Sequence, residues 1–442
     1  MLRCLALWGV LFVFRSAASA ELLTDSEPDI QDALQAYHQS VAEQQYLEAG
    51  ESVKLAIAAL LEDPDHDRMV YGQLLTLLAD SQFSAEQYGA AIQNYKLAIE
   101  AIQFARDRLD NALVTPLLGL SRCLAATNRY PDAIRNYQQS LHVHQVNNGL
   151  FGEQTAEIVA ELSEVYFASS DFDRAKGMQD LHVAVIERKF PGDNIARLPS
   201  MYSRADMYYR TGDYLRSYNG YRRIIALIER AEGSRSLQLV PALTATAALL
   251  GGSPIADGEN GPEKARRYLR RAIAITEGSA EASAPMKADA HIRLGDFLNM
   301  MTANSDAAIR SYQRGWAYLD SDAQYHERRD KLLGKVRLLN RIPGGTPAAM
   351  FSLLDNAADP ESTKNGYIMV EYDVGRDGRS ENVRIVESTP PGLHDYIVRN
   401  HVQNFAFRPP FSDGEPVPSK DLVFELQFSY TDDDLLEGSS QQ

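Results

Sequence analysis

The chain has 442 residues, 45% of them hydrophobic and 24% charged, with a formal net charge of −16 and two cysteines. That length exceeds one compact core and suits two or three units, and the composition is globular rather than disordered or collagenous. The acidic balance excludes the basic footprint of a nucleic-acid binder and docking on an anionic membrane surface, and two cysteines cannot build a disulfide framework or a four-ligand zinc site.

Residues 1–20 read as a signal peptide. Arg3 gives a positive start, Leu5 to Phe14 is apolar, and Ala18-Ser19-Ala20 offers small residues for cleavage. The apolar run is shorter than the roughly 20 residues needed to span a hydrocarbon core of about 30 Å. An uncleaved anchor is the alternative. Export would leave Cys123 as the one thiol, and its setting among Leu117, Leu120 and Leu124 reads as a small core residue.

The middle of the chain is periodic. Tyr88, Ala91, Tyr95 and Ala98 form a pattern that recurs in Tyr46, Ala49, Val53, Ala56 and in Tyr130, Ala133, Tyr137, Ser140. Weaker copies lie at Phe172 and Ala175, and at Tyr214, Ser217, Tyr221 and Ile224. The small anchors Ala49, Ala91, Ala133, Ala175 and Ser217 follow one another at 42 residues. A sixth copy (Ala265, Leu269, Ala272) is delayed by the Gly/Pro-rich insert at 251–262, and a seventh centres on Ala307 and Ala308 with Tyr312. Upstream of each anchor a second helical stripe precedes it, as in Leu75, Leu78, Ala79 and Gln82 or Leu117, Leu120, Ser121 and Leu124. The sixth unit has only a weak first-helix pattern over Leu243–Leu250. Each unit therefore reads as two helices joined by a polar or Gly turn such as Thr127-Asn128-Arg129 or Thr211-Gly212-Asp213.

This array resembles the tetratricopeptide repeat (TPR), in a form with longer helices, over about Ile30–Asp320. The domain is set at residues 21–340. The resemblance implies an extended concave face lined by the first helix of each unit. One lining position holds His38, Asp80, Arg122, Glu164, Asp206 and Asp296. The last five are the candidate partner-binding residues of the array, and their acidity implies a groove for a basic or amide-rich protein segment. A solvated acidic face is the plainer reading. The Lys/Asn clamp by which some family members hold a C-terminal carboxylate is not evident.

Residues 341–358 read as a linker, opened by the breaker cluster Arg341–Pro347, with a short helix expected over Ala348–Asp359. Over 359–430 the period changes to two. Strands are predicted at Tyr367–Val374, Val383–Glu387 and Leu422–Phe428, a hairpin at Gly375–Gly378, and an amphipathic helix from Leu393 to Phe405. Phe405–Phe411 leads into a turn at Asp413-Gly414-Glu415, and residues 431–442 read as an acidic disordered tail.

Gly366, Asp377-Gly378, Phe407-Arg408-Pro409, Gly414, Pro416-Val417 and the Phe424–Phe428 strand, in that order, resemble the C-terminal domain of TonB, the energy transducer of the Gram-negative envelope. The family's membrane anchor and Pro-rich spacer are missing. Export by the N-terminal signal peptide, together with this resemblance, implies a periplasmic location. The resemblance also implies a peptide-accepting edge at Leu422, Val423, Phe424, Glu425, Leu426, Gln427 and Phe428, which would pair with a segment of an outer-membrane receptor or another envelope protein.

The expected fold class is mostly α: an α-solenoid of TPR-like hairpins followed by a small α+β domain, a three-stranded antiparallel sheet with one helix. The expected function is a non-enzymatic scaffold without cofactor or metal. A transducer held by an uncleaved N-terminus, and an enzyme with accessory repeats, are the alternatives. Nine histidines are scattered, and no nucleophile elbow, phosphate loop or metal-ligand spacing occurs.

Overall fold

The computed structural model describes residues 28–252, 261–301, 305–339 and 364–431. The expected signal peptide, the linker with its helix, and the tail beyond Thr431 lie outside the described residues.

Sixteen α-helices are present among the described residues. Fourteen pair as hairpins: α1 (Pro28–Ala42) with α2 (Tyr46–Leu60), α3 (Arg68–Ser84) with α4 (Tyr88–Ala105), α5 (Val114–Ala126) with α6 (Tyr130–Asn148) and α7 (Glu153–Ala168) with α8 (Phe172–Lys189). They continue with α9 (Leu198–Arg210) and α10 (Tyr214–Glu232), α11 (Leu239–Gly252) and α12 (Gly261–Gly278), then α13 (Ala284–Met301) and α14 (Ser305–Asp320). The fold is a TPR-like α-solenoid followed by a small antiparallel sheet domain.

The turns of the first five hairpins are copies of one backbone device. Gln44, Glu86, Asn128, Ser170 and Gly212 all have left-handed φ, between 59° and 78°. In each case the next residue's N–H reaches back to a carbonyl five residues earlier, as in Arg129 to Leu124 at 2.8 Å and Asp213 to Tyr208 at 2.8 Å. This pattern satisfies carbonyls that the ending helix leaves orphaned. Asp171 and Asp213 then cap the following helices through the N–H of Arg174 and Arg216.

The chain forms two compact units, residues 1–191 and 192–442. In the first, the anchors Ala49, Ala91, Ala133 and Ala175 are fully buried, and so are Tyr95 and Tyr137. The Tyr95 ring seats on Gly119 of the next hairpin: a Cβ there would lie 2.2 Å from it. The aromatic four residues past the anchor thus fills the gap between hairpins, and each buried Leu or Ile around it adds about 1.5–3 kcal/mol. Cys123 is a buried free thiol, and burial pushes it up to about 12.

In the second unit α11 is a complete helix, which corrects the weak first-helix pattern of the sixth copy. Leu239, Ala242, Leu243, Ala247, Leu249 and Leu250 are all buried. A helix apolar on every side shows no stripe, which is why its period was hard to see.

After α15 (His326–Leu333) the chain leaves helical structure earlier than the sequence suggested. Residues 337–339 form β1, which pairs antiparallel with β4 (Ala406–Arg408). β1 falls at the end of the expected helical array, and β4 in the segment expected to lead into a turn; three residues are too few to show a period. The sheet domain proper has β2 (Lys364–Val374), β3 (Ser380–Thr389) and β7 (Ser419–Tyr430) in the order β3-β2-β7. Helix α16 (Asp395–Gln403) covers one face, with Ile368, Val370, Val398, Val402, Leu426 and Phe428 between them. A small hairpin, β5 (Phe411–Ser412) with β6 (Glu415–Pro416), completes it.

Candidate partner-binding surfaces

In the first unit, the lining residues Asp80 and Arg122 are each bonded to other side chains of the array. Tyr95 donates its hydroxyl to Asp80 Oδ1 at 2.5 Å. Desolvation pushes the Asp80 carboxyl up to about 6, against the Tyr95 hydrogen bond and the Arg122 charge. Arg122 makes a bidentate pair with Glu161 of α7, Nε to Oε2 at 2.9 Å and Nη2 to Oε1 at 2.6 Å, with Glu157 Oε1 at 3.5 Å. Tyr137 donates to the same Glu161 at 2.8 Å. His38 and Glu164 are half-buried, and His38 lies edge-on to Tyr37.

Sequence reasoning missed Glu157 and Glu161. The signal was there: Glu161 lies one helical turn before Glu164, on the side that faces the preceding hairpin. Arg122, taken as partner-facing, is instead a strut between hairpins.

In the second unit the same Tyr–carboxylate pairing recurs. Tyr221 donates to Asp206, and Tyr312 donates to Asp296 at 3.0 Å. Burial, then the neighbouring carboxylate, holds Tyr312 well above the ordinary phenol range, so it donates as a neutral hydroxyl. Asp206 is exposed. Asp296 is engaged from within the chain, which corrects its reading as an open lining residue. Arg408, 3% exposed, reaches Asp296 through Nε at 2.8 Å and Nη2 at 2.5 Å and gives Nη1 to the Leu332 carbonyl at 2.8 Å. Asn299 Nδ2 donates to the Phe407 carbonyl at 2.5 Å, and Phe411 packs on Tyr312 and Trp316. The C-terminal module is thus seated on the last hairpin.

A cleft of about 710 Å³ beside this contact is lined by Trp316, Arg329, Asp330, Lys335, Phe411 and Asp413. Arg329 lies 4.5 Å from the Trp316 ring centroid and is paired with Asp320 and Asp330. Its charges are answered locally. Among the described residues no three His, Cys, Asp or Glu side chains converge as a metal site.

The second surface is the β7 edge. β7 pairs with β2 along one side, from Lys364↔Tyr430 to Val374↔Ser419, and its other side has no strand partner among the described residues. Leu426 and Phe428 are buried in the sheet–helix core with Phe424 packed against it, while Val423, Glu425 and Gln427 are exposed. Leu422 is half-buried. Gly366 leaves no room for a side chain in β2: a Cβ would lie 2.6 Å from the Thr389 carbonyl and 2.7 Å from the Phe428 ring.

No protein-family model and no curated protein sequence matches the chain. Solved structures similar to it carry helical repeats. TPR-like repeats of a kinesin light chain from Podosopora anserina share 14% identity at a TM-score of 0.42, over 46% of this chain and 96% of that one. A signal transduction ATPase from Pyrococcus horikoshii with a TPR sensor shares 14% at 0.47, over 71% of this chain and 46% of that one. The apo form of RapI shares 12% at 0.40, over 68% of this chain and 98% of that one.

Proposed function

We propose that the chain is a non-enzymatic protein-interaction scaffold, exported to the periplasm, whose array holds one protein partner and whose C-terminal module holds another by strand addition. The observation that carries the second half is the β7 edge. Its outer side has no strand partner among the described residues, and Val423, Glu425 and Gln427 alternate outward along it. Such an edge offers backbone donors and acceptors to an extended peptide, with side-chain pockets setting choice. The order of strands and the Gly366, Asp377-Gly378 and Phe407-Arg408-Pro409 positions resemble the TonB C-terminal domain. That likeness names the partner class: a short segment of an outer-membrane receptor or another envelope protein.

Photocrosslinking from Val423 and Gln427 in cells tests this. Crosslinks to an envelope protein that vanish in a folded Glu425→Pro chain are expected. A folded Glu425→Pro chain that keeps them rules out pairing through β7. N-terminal sequencing of the mature protein tests export, with Glu21 as the expected first residue.

A further inference from the structure

Asp206 and Asp296 hold one position in two hairpins of the same unit. Each accepts a hydrogen bond from the tyrosine four residues past its hairpin's small anchor, Tyr221 after Ser217 and Tyr312 after Ala308. At Asp296 this pair has an occupant. Arg408 meets both carboxylate oxygens, at 2.8 and 2.5 Å, and its guanidinium carbon lies 5.8 Å from the Tyr312 ring centroid. The arginine arrives on an extended segment, Phe405–Phe411, with prolines 409 and 410 directly after it. Asp206 has the same tyrosine partner, stands exposed, and has the Tyr202 ring 6.2 Å from that of Tyr221.

We propose that Asp206 and Tyr221 form a guanidinium subsite that takes an arginine from an extended, proline-flanked segment of a partner protein. The chain displays the chemistry in its own Arg408. The tyrosine hydroxyl holds one carboxylate oxygen in place, and a planar guanidinium meets both oxygens at once, which a lysine ammonium cannot do. Proline after the arginine keeps the segment extended and removes an N–H that would need a partner. The inference rests on the array as a partner-binding surface and gives that surface a ligand chemistry.

The test is calorimetric titration of the full chain with the peptide FAFRPPF, a copy of Phe405–Phe411, and with the same peptide carrying citrulline for arginine. The arginine peptide should bind at least about tenfold more tightly than the citrulline one, the worth of one charge-assisted pair. Asp206→Asn should remove that preference while leaving the melting curve in place, because Asn still accepts from Tyr221. Tyr221→Phe should reduce it, and Asp80→Asn should leave it unchanged. No binding of the arginine peptide, or a preference that survives in folded Asp206→Asn, overturns the subsite. Photocrosslinking from α9 and α10 separates this from the scaffold reading. A partner protein captured equally by wild type and Asp206→Asn keeps the scaffold and removes the subsite, whereas no captured partner removes the scaffold.

Discussion

Arg408 and Asp296 stand 112 positions apart in sequence and share two hydrogen bonds in a nearly dry setting. The pair ties the C-terminal module to the seventh hairpin. Removing one partner of such a pair leaves a charge without compensation, at about 3–5 kcal/mol. Arg408→Ala should therefore cost about 3 kcal/mol in the unit comprising residues 192–442. Urea unfolding followed by Trp316 fluorescence, in a chain beginning at Glu21 so that Trp316 is its single tryptophan, reads this directly. Arg408→Ala combined with Asp296→Asn should cost less than the two single losses added.

Asp80 makes the first unit sensitive to pH. Its carboxyl sits at about 6 rather than 3.8 because desolvation disfavours the anion. The folded state therefore binds this proton more tightly than the unfolded state. The stabilising contribution is full below about 4 and is lost as pH rises through about 6, by on the order of 2–3 kcal/mol. Stability measured at pH 5 and 7.5 should fall with rising pH, and Asp80→Asn should flatten that slope.

Tyr95→Phe should make the Asp80 carboxyl harder to ionise still. The hydroxyl is the hydrogen-bond donor that favours the anion. Loss of a hydrogen bond to a half-buried charged group costs about 1.5–3 kcal/mol at neutral pH and little at pH 4, where Asp80 is protonated. Denaturation at the two pH values distinguishes this from a packing defect, which would cost the same at both.

Gly378 has φ +76°, and a Cβ there would lie 2.1 Å from the Phe407 carbonyl. Gly378→Ala should destabilise the module by at least about 2 kcal/mol, through strain and through displacement of β4. A lowered urea midpoint with loss of the Trp316–Phe411 emission signature is the expected result.

The helical array was legible because a single period governs it. Anchors, aromatic fillers and turn residues at 42-residue spacing each have a geometric cause that the backbone repeats. The three main strands were legible because one face is buried and the other is wet. The hidden parts depend on contacts between distant segments. Three residues of β1 show no period, and α11 shows no stripe because no side of it is polar. Asp80 and Asp206 stand on the lining position that the repeat marks, yet the repeat marks their tyrosine partners only as packing residues. Arg122 looked partner-facing because its partner Glu161 lies 39 residues away, off the register being followed. Asp296 was read as open because the arginine that closes on it belongs to a segment read as a different domain.

The pairing of β1 with β4 separates the covalent boundary of the C-terminal module from its mechanical one. Residues 337–339 precede the Pro/Gly cluster, yet their hydrogen bonds run to 406–408. A polypeptide divided anywhere between Leu339 and Lys364 keeps that ladder, the Arg408–Asp296 pair and the Phe411 contact whole. The two fragments should therefore assemble when co-expressed and elute together. A module cut out to begin at Lys364 would leave behind the strand that completes it.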